Sequence, residues 1–208
     1  MVKKKGLLIV ISGPSGAGKG TICKKLVEKH EKINLSVSAT TRKPREGEIE
    51  GVSYYYKSKS EFENMIDNDE FLEFAKIYEN YYGTPKKTIF DEISKGNDVI
   101  LEIEMQGAMQ VKKSYPEAVF VFILPPSLSE LKSRIVGRGT ETNAQIEMRF
   151  NSAYNEIKLV GEYDYFVFNN VVEKSVEDIE KIIMSEKMKV IRYKDEIIDL
   201  FEKEILKC

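Results

Sequence analysis

Two cysteines, one histidine and six prolines among 208 residues leave several chemistries with few means. Cys23 and Cys208 have no metal-ligand spacing and read as reduced thiols of a cytoplasmic chain, with no disulfide framework. His30 stands alone, late in a helical pattern, and reads as a surface residue without chemical duty. No Pro- or Gly-rich linker, internal repeat or low-complexity segment divides the chain, so its length fits one domain with small insertions. Basic residues are not in excess: Lys+Arg 32 against Asp+Glu 34 gives a net charge of −2, and the cations are scattered. A general nucleic-acid binder needs a basic face to release counterions, and none is written here. No apolar run approaches membrane-spanning length. Lys3-Lys4-Lys5 before the apolar residues 7–11 has only the outline of a signal peptide, because the run is too short. It reads instead as a first buried strand of a protein that binds no membrane.

That strand leads into Gly13-Pro14-Ser15-Gly16-Ala17-Gly18-Lys19-Gly20-Thr21 and then a helical pattern over residues 21–30. Strand, glycine-rich turn and helix form the context of a phosphate-binding P-loop. Glycines at these spacings let backbone N–H groups converge on an anion, and the helix adds its positive N-terminal dipole. Lys19 supplies a charge able to follow the β- and γ-phosphates. The expected ligand is a nucleoside polyphosphate. One departure matters: the position after the lysine, where Ser or Thr usually meets Mg2+, is Gly20, and the hydroxyl arrives at Thr21. Phosphates and water could complete the metal's octahedron.

Apolar runs at 7–11, 99–103, 119–124 and 165–168, with a weaker one at 35–39, alternate with helical patterns at 86–95, 105–114, 127–137, 143–159 and 175–188. This rhythm predicts an α/β fold, a P-loop parallel sheet flanked by helices. Ser127 with Glu130 three residues on predicts a capping box after Pro125-Pro126. Residues 42–84 break the rhythm with Pro44, consecutive tyrosines and short alternating runs, which predicts a small, mostly β insertion holding a helix near 60–67. The tail over 193–206 reads as a charged amphipathic helix.

The insertion supplies a second anion site. Arg42 and Arg45 flank a proline-stiffened turn, and arginine forks bind phosphate oxygens bidentately. Tyr54 and Tyr82 could add phenolic donors. Glu73 lies in an apolar stretch, and a carboxylate can accept from both N1–H and the exocyclic amine of guanine, an edge adenine lacks. Ser38 and Thr84 are hydroxyls able to reach the same base. On residue type alone, solvated loop arginines and an exposed Glu73 remain open.

The segment Ser38-Ala39-Thr40-Thr41-Arg42-Lys43-Pro44-Arg45-Glu46-Gly47-Glu48, then Gly51, Tyr54, Phe71-Leu72-Glu73 and Asn80-Tyr81-Tyr82-Gly83-Thr84, resembles the nucleotide-monophosphate-binding region of the guanylate kinase family. So do Gln106-Gly107 after Glu102-Ile103-Glu104, and Gly137-Arg138-Gly139-Thr140-Glu141. The resemblance spans residues 7–183. It implies a domain over 6–184 (core 6–39 and 85–184, GMP-binding insertion 40–84, helical lid about 137–149) and a helical tail over 185–208. It implies that Arg42, Arg45, Tyr54 and Tyr82 hold the GMP phosphate, and that Ser38, Glu73, Thr84 and Glu104 line the guanine pocket. The family often has Asp where this chain has Glu104. Glu102 would orient Mg2+ through water, and Asn169-Asn170 would lie near the adenine of ATP. The implied reaction moves the γ-phosphoryl of ATP to GMP, or to dGMP, giving ADP and GDP.

No general base is needed, because the nucleophile is a phosphate oxygen already anionic at neutral pH. Catalysis of such a transfer is alignment and charge neutralisation. Lys19, Arg134, Arg138 and Arg149 are the candidate cations, with the insertion and the 137–142 lid expected to close on the P-loop. Two other readings stay open at this point. A non-catalytic peptide-binding module of the same fold would have a degraded P-loop, and a P-loop kinase for AMP or a phosphorylated sugar would not need Glu73.

Overall fold

The computed structural model describes residues 5–136 and 143–205. Its centre is a five-stranded parallel sheet in the order β2-β7-β1-β8-β9, with β1 Leu8–Ser12, β2 Ile33–Leu35, β7 Asp98–Glu102, β8 Val119–Leu124 and β9 Tyr165–Phe168. The period of two in β1 builds both faces of the core. Leu7, Ile9 and Ile11 pack with Ile22 and Leu26 of α1 (Lys19–Lys29) and with Ile179 and Ile183 of α7 (Val172–Glu186). Leu8 and Val10 pack the other way, on Ile89 and Ile93 of α3 (Lys86–Ser94) and Ala108 and Val111 of α4 (Met105–Ser114). Every residue of β1 is buried, as a strand covered on both faces must be.

A second, four-stranded sheet runs β4-β3-β6-β5, formed by β3 Ala39–Thr40, β4 Tyr55–Tyr56, β5 Phe71–Ile77 and β6 Asn80–Pro85. Helix α2 (Lys59–Asp67) covers it, with Phe62 stacked between Phe71 and Tyr81 at centroid distances of 4.4 and 5.3 Å. Ser58 caps α2 in a complete capping box with Glu61, a signal the residue pattern carried and the sequence reading passed over. The expected strand over 35–39 is two strands in different sheets. Leu35 is exposed, and the buried residues on either side, Ile33 and Ala39, belong to separate cores, so the chain crosses between sheets at 36–38.

Helices α5 (Leu128–Val136) and α6 (Asn143–Ile157) pack through Leu131, Ile135 and Ala153. Ser127 caps α5 by accepting from the Glu130 amide at 3.1 Å, but the Glu130 carboxylate turns to Arg134 Nε at 3.0 Å instead of closing the box. His30 is not idle, since its Nε2 meets Glu180 at 2.5 Å and ties the end of α1 to α7. The last helix, α8 (Lys194–Ile205), buries no residue. The expected lid at 137–142 with Arg138, and Cys208, lie outside the described residues.

Candidate functional site

The parallel strands β1 and β7 end side by side, and the turn after β1 wraps an anion-sized cradle. Gly18 holds a left-handed conformation (φ 91°) as N-cap of α1, and no side chain caps that helix or places an acid in its first turn. The leading N–H groups are therefore left for a ligand, which is what a phosphate needs. Lys19 Nζ donates to Gly13 O at 2.5 Å and Pro14 O at 3.4 Å. A β-carbon on Gly13 would come within 2.3 Å of Ile123 O, so the turn leaves the sheet closer than any side chain permits. Thr21 is exposed on the first turn of α1, and Ala17 is buried beneath the loop.

Asn169, placed at the adenine by resemblance, sits under this loop. It is 3% exposed and its Nδ2 donates to Ala17 O at 2.7 Å. Its amide holds the P-loop from below, while Asn170 is exposed. Arg134 reaches the same corner, donating to Glu130 Oε1 at 3.0 Å and to Asn169 O at 3.1 Å. Arg149 lies on α6 with its side chain outside the described residues.

Glu102 closes β7 with its carboxylate against Gly20, where a β-carbon would stand 3.3 Å from Oε1. Burial raises its pKa, Lys19 lowers it, and Glu104 adds to the rise. The crowded carboxylate gives a reason for glycine at position 20. Glu104 is the exposed N-cap residue of α4. Glu156 of α6 was not singled out in the sequence. Burial lifts its pKa, the Ser152 hydroxyl that donates to its Oε1 at 3.1 Å opposes the rise, and it lies within electrostatic reach of Glu104 and Lys19. No local pattern could have found it, because α6 reaches the loop only through the tertiary fold.

Helix α4 joins this centre to the second sheet. Gln110 reads both backbone groups of Phe74, accepting from its N–H at 3.1 Å and donating to its carbonyl at 3.0 Å. Glu73 is thereby set inward, 9% exposed, where Thr84 Oγ1 donates to its Oε1 at 2.6 Å. Burial raises its pKa and the Thr84 bond opposes the rise. The buried setting rules out an exposed strand face. Ser38 is half-buried at the approach to β3.

Arg42 lies in a polar cluster at the edge of the same sheet. Its Nη2 donates to both Glu48 oxygens at 2.7 and 3.0 Å, and its guanidinium stands 5.4 Å from the Tyr54 ring centroid. Tyr82 meets Tyr54 edge-on at 6.1 Å, and its hydroxyl contributes to holding Arg42 charged. Glu48 also accepts from the Arg45 backbone N–H at 2.7 Å and Tyr56 Oη at 2.8 Å, and the Arg42 bonds first, then these two, lower its pKa to about 2. The Arg45 side chain is exposed. The structure thus gathers Arg42, Tyr54 and Tyr82. Glu48 and Tyr56, which complete the cluster, escaped the sequence reading because acids in a loop are ordinarily solvated. The fold thus presents a glycine-rich turn carrying Lys19 on the parallel sheet, and on the second sheet an Arg42–Glu48 cluster with Tyr54 and Tyr82 and a buried Glu73 carboxylate.

Residues 5–186 match the profile of the guanylate kinase family. Guanylate kinase of Clostridioides difficile (strain 630) is 62% identical over 205 residues, covering 99% of this chain and 100% of that protein. Guanylate kinase of Caldanaerobacter subterraneus subsp. tengcongensis is 54% identical over 98% of this chain and 99% of its own length. The crystal structure of guanylate kinase from Anaplasma phagocytophilum superposes with a TM-score of 0.74 at 34% identity, covering 96% of both chains.

Proposed function

The chain belongs to the guanylate kinase family and is an ATP-dependent nucleoside monophosphate kinase that converts GMP and ATP to GDP and ADP, and from that premise we propose how its residues divide the work. The P-loop residues 13–21 bind the ATP phosphates through backbone N–H groups, with Lys19 exchanging its contacts to Gly13 and Pro14 for phosphate oxygens. Arg42, Tyr54 and Tyr82, joined by Arg45, take the GMP phosphate. Ser38, Glu73, Thr84 and Glu104 read guanine. The observation that carries this division is the buried Glu73 carboxylate, held by Thr84 and aimed from the second sheet. An unpaired carboxylate in such a place is costly, and the two N–H donors of guanine would repay it.

Mg2+ fits the donor set at one point. Among the described residues no group of three acids, histidines or cysteines could hold an ion, so the metal would rest on phosphates and water, with the Glu102 carboxylate beside Gly20 to orient it. When bound, the ion neutralises charge on the donor phosphates. Lys19 and Arg134, with Arg138 and Arg149, supply the remaining positive charge around the transferred group. Neither proton abstraction nor a covalent intermediate is required. In this reading the working domain is 6–184, with a GMP-binding insertion at 40–84, a helical lid at about 137–149 and a tail at 185–208. No helix among the described residues is long and apolar enough to cross a membrane. In our reading the chain acts in the cytoplasm.

ADP production from MgATP should be measured with GMP, dGMP, AMP, CMP and UMP as separate acceptors. Turnover confined to GMP and dGMP is expected. Comparable turnover with AMP would remove Glu73 from the recognition role and leave the phosphate sites standing.

A further inference from the structure

The strand that carries Glu73 is irregular at the residue before it. Phe71 lies opposite Pro85 and Glu73 opposite Thr84, two steps along β5 for one along β6, so Leu72 is an extra residue in a β-bulge. In a regular strand neighbouring side chains alternate between faces. Here Leu72 packs with Ala108 and Val111 of α4, and Glu73, the next residue, lies against Gly107 of the same helix. Phe71 turns the other way, onto Phe62 of α2, and its ring stands 6.2 Å from that of Phe74, three residues on. Without the extra residue Glu73 would share the face of Phe71 and point into the apolar cluster of Phe62, Met65 and Ile66, where a carboxylate is costly.

The bulge is held from outside the sheet. β5 is the last strand in the order β4-β3-β6-β5, so its outer edge has no ladder partner. Gln110 of α4 supplies one at Phe74, its side-chain amide acting as a strand would: Oε1 accepts from the Phe74 N–H at 3.1 Å and Nε2 donates to the Phe74 carbonyl at 3.0 Å. One helical turn on, Ser114 Oγ donates to the Leu72 carbonyl at 3.2 Å. Two side chains four residues apart on α4 thus fix the backbone on both sides of Glu73.

Resting on the reading of Glu73 as the guanine contact, we infer that Gln110 and Ser114 are positioning residues for base recognition, which hold the Leu72 bulge and so aim the Glu73 carboxylate. They act through the backbone and set the preference for a purine with two adjacent N–H donors over a purine with one. A carboxylate held in place is satisfied only by both donors; a carboxylate free to shift accepts either base more evenly.

The test compares GMP with IMP, which keeps N1–H but lacks the 2-amine, as acceptors for the parent, Gln110→Met, Ser114→Ala and Glu73→Gln. Q110M should raise KM for GMP about tenfold, the size of one misplaced hydrogen bond to a charged group, with KM for ATP unchanged. The ratio of kcat/KM for GMP over IMP should fall by a similar factor, and S114A should move both quantities the same way by less. Residues that only hold the fold together would lower Tm and activity with both acceptors alike, and an unaltered ratio in Q110M and S114A would overturn the assignment. If Q110M fails to fold, the ratio in S114A decides alone. Hydrogen exchange at the Phe74 amide, followed by NMR, should quicken in Q110M; unchanged protection would show that Gln110 does not hold the strand. E73Q separates the two levels. A ratio untouched by E73Q brings down the Glu73 reading and this role together, whereas a ratio that collapses in E73Q and survives in Q110M and S114A overturns this role alone.

Discussion

Gly107 leaves room for Glu73: a β-carbon at position 107 would lie 2.9 Å from Glu73 Oε2. The carboxylate is pinned between this bare backbone of α4 and the Thr84 hydroxyl, which donates at 2.6 Å. Gly107→Ala should push the carboxylate from its place without removing it. The expected result is a rise of about tenfold in KM for GMP, the size of one misplaced hydrogen bond to a charged group, with KM for ATP unchanged. Steady-state kinetics varying each substrate separately will decide it, and an unchanged KM for GMP would detach Gly107 from the pocket.

Glu73→Gln retains the acceptor for Thr84 but turns an amide donor toward guanine. Efficiency with GMP should fall by about four powers of ten, the scale on which a site built for hydrogen bonds rejects a mismatched partner. Stability should move the other way. Burial raises the Glu73 pKa above its unfolded value, so the folded state binds the extra proton, and stability is lost as pH rises through the folded pKa. Above its folded pKa the parent bears the full cost of an ionised buried carboxylate and Glu73→Gln does not. The variant should melt higher than the parent at pH 7 to 8, and the gap should close below about pH 4, under the unfolded carboxylate value. Equal melting at both pH values would mean the carboxylate is not strained by burial.

The P-loop was legible in the chain because its whole device is local: strand, glycines, lysine and helix follow one another within a few residues. The parallel strands were legible too, since a strand buried on both faces is a run of apolar residues that needs no partner to be recognised. The support of the loop was not. Asn169 meets Ala17 across 152 residues, and nothing near either residue announces the other. The same holds for Glu73 with Gly107 and for Glu156 within electrostatic reach of Lys19. The strand expected at 35–39 failed for a related reason, because the choice between two sheets rests on which core receives Ile33 and Ala39. Glu48 beside Arg42 was close in sequence, yet its importance comes from the turn that points both side chains and Tyr56 to one spot.

Asn169→Ala removes the donor to a carbonyl that is fully buried beneath the P-loop. An orphaned buried acceptor costs about 1–3 kcal/mol, which should appear as a lower Tm. KM for ATP should rise several-fold while KM for GMP holds, because the arginine cluster lies on the other sheet. Asn169→Asp should be worse than alanine, since it brings a carboxylate against the same oxygen. If ATP binding is untouched in both variants, the loop is held by other means.

Glu48→Gln tests whether Arg42 is positioned by its partner or hindered by it. Glu48 gathers the Arg42 fork, the Arg45 N–H and the Tyr56 hydroxyl, and these bonds hold its pKa near 2. A depressed carboxylate contributes stability above its unfolded value and loses it as pH falls through the folded one. The pair is therefore intact throughout any assay above about pH 5, well clear of the unfolded carboxylate value. No acid limb of activity in that range belongs to Glu48. With the charge removed and the shape kept, Arg42 loses its strongest anchor. KM for GMP should rise about tenfold, while turnover at saturating GMP stays within about twofold, because the phosphate, once bound, orients the guanidinium itself. The opposite result, tighter GMP binding in Glu48→Gln, would show that the carboxylate occupies the place of the GMP phosphate and must be displaced before the acceptor can bind.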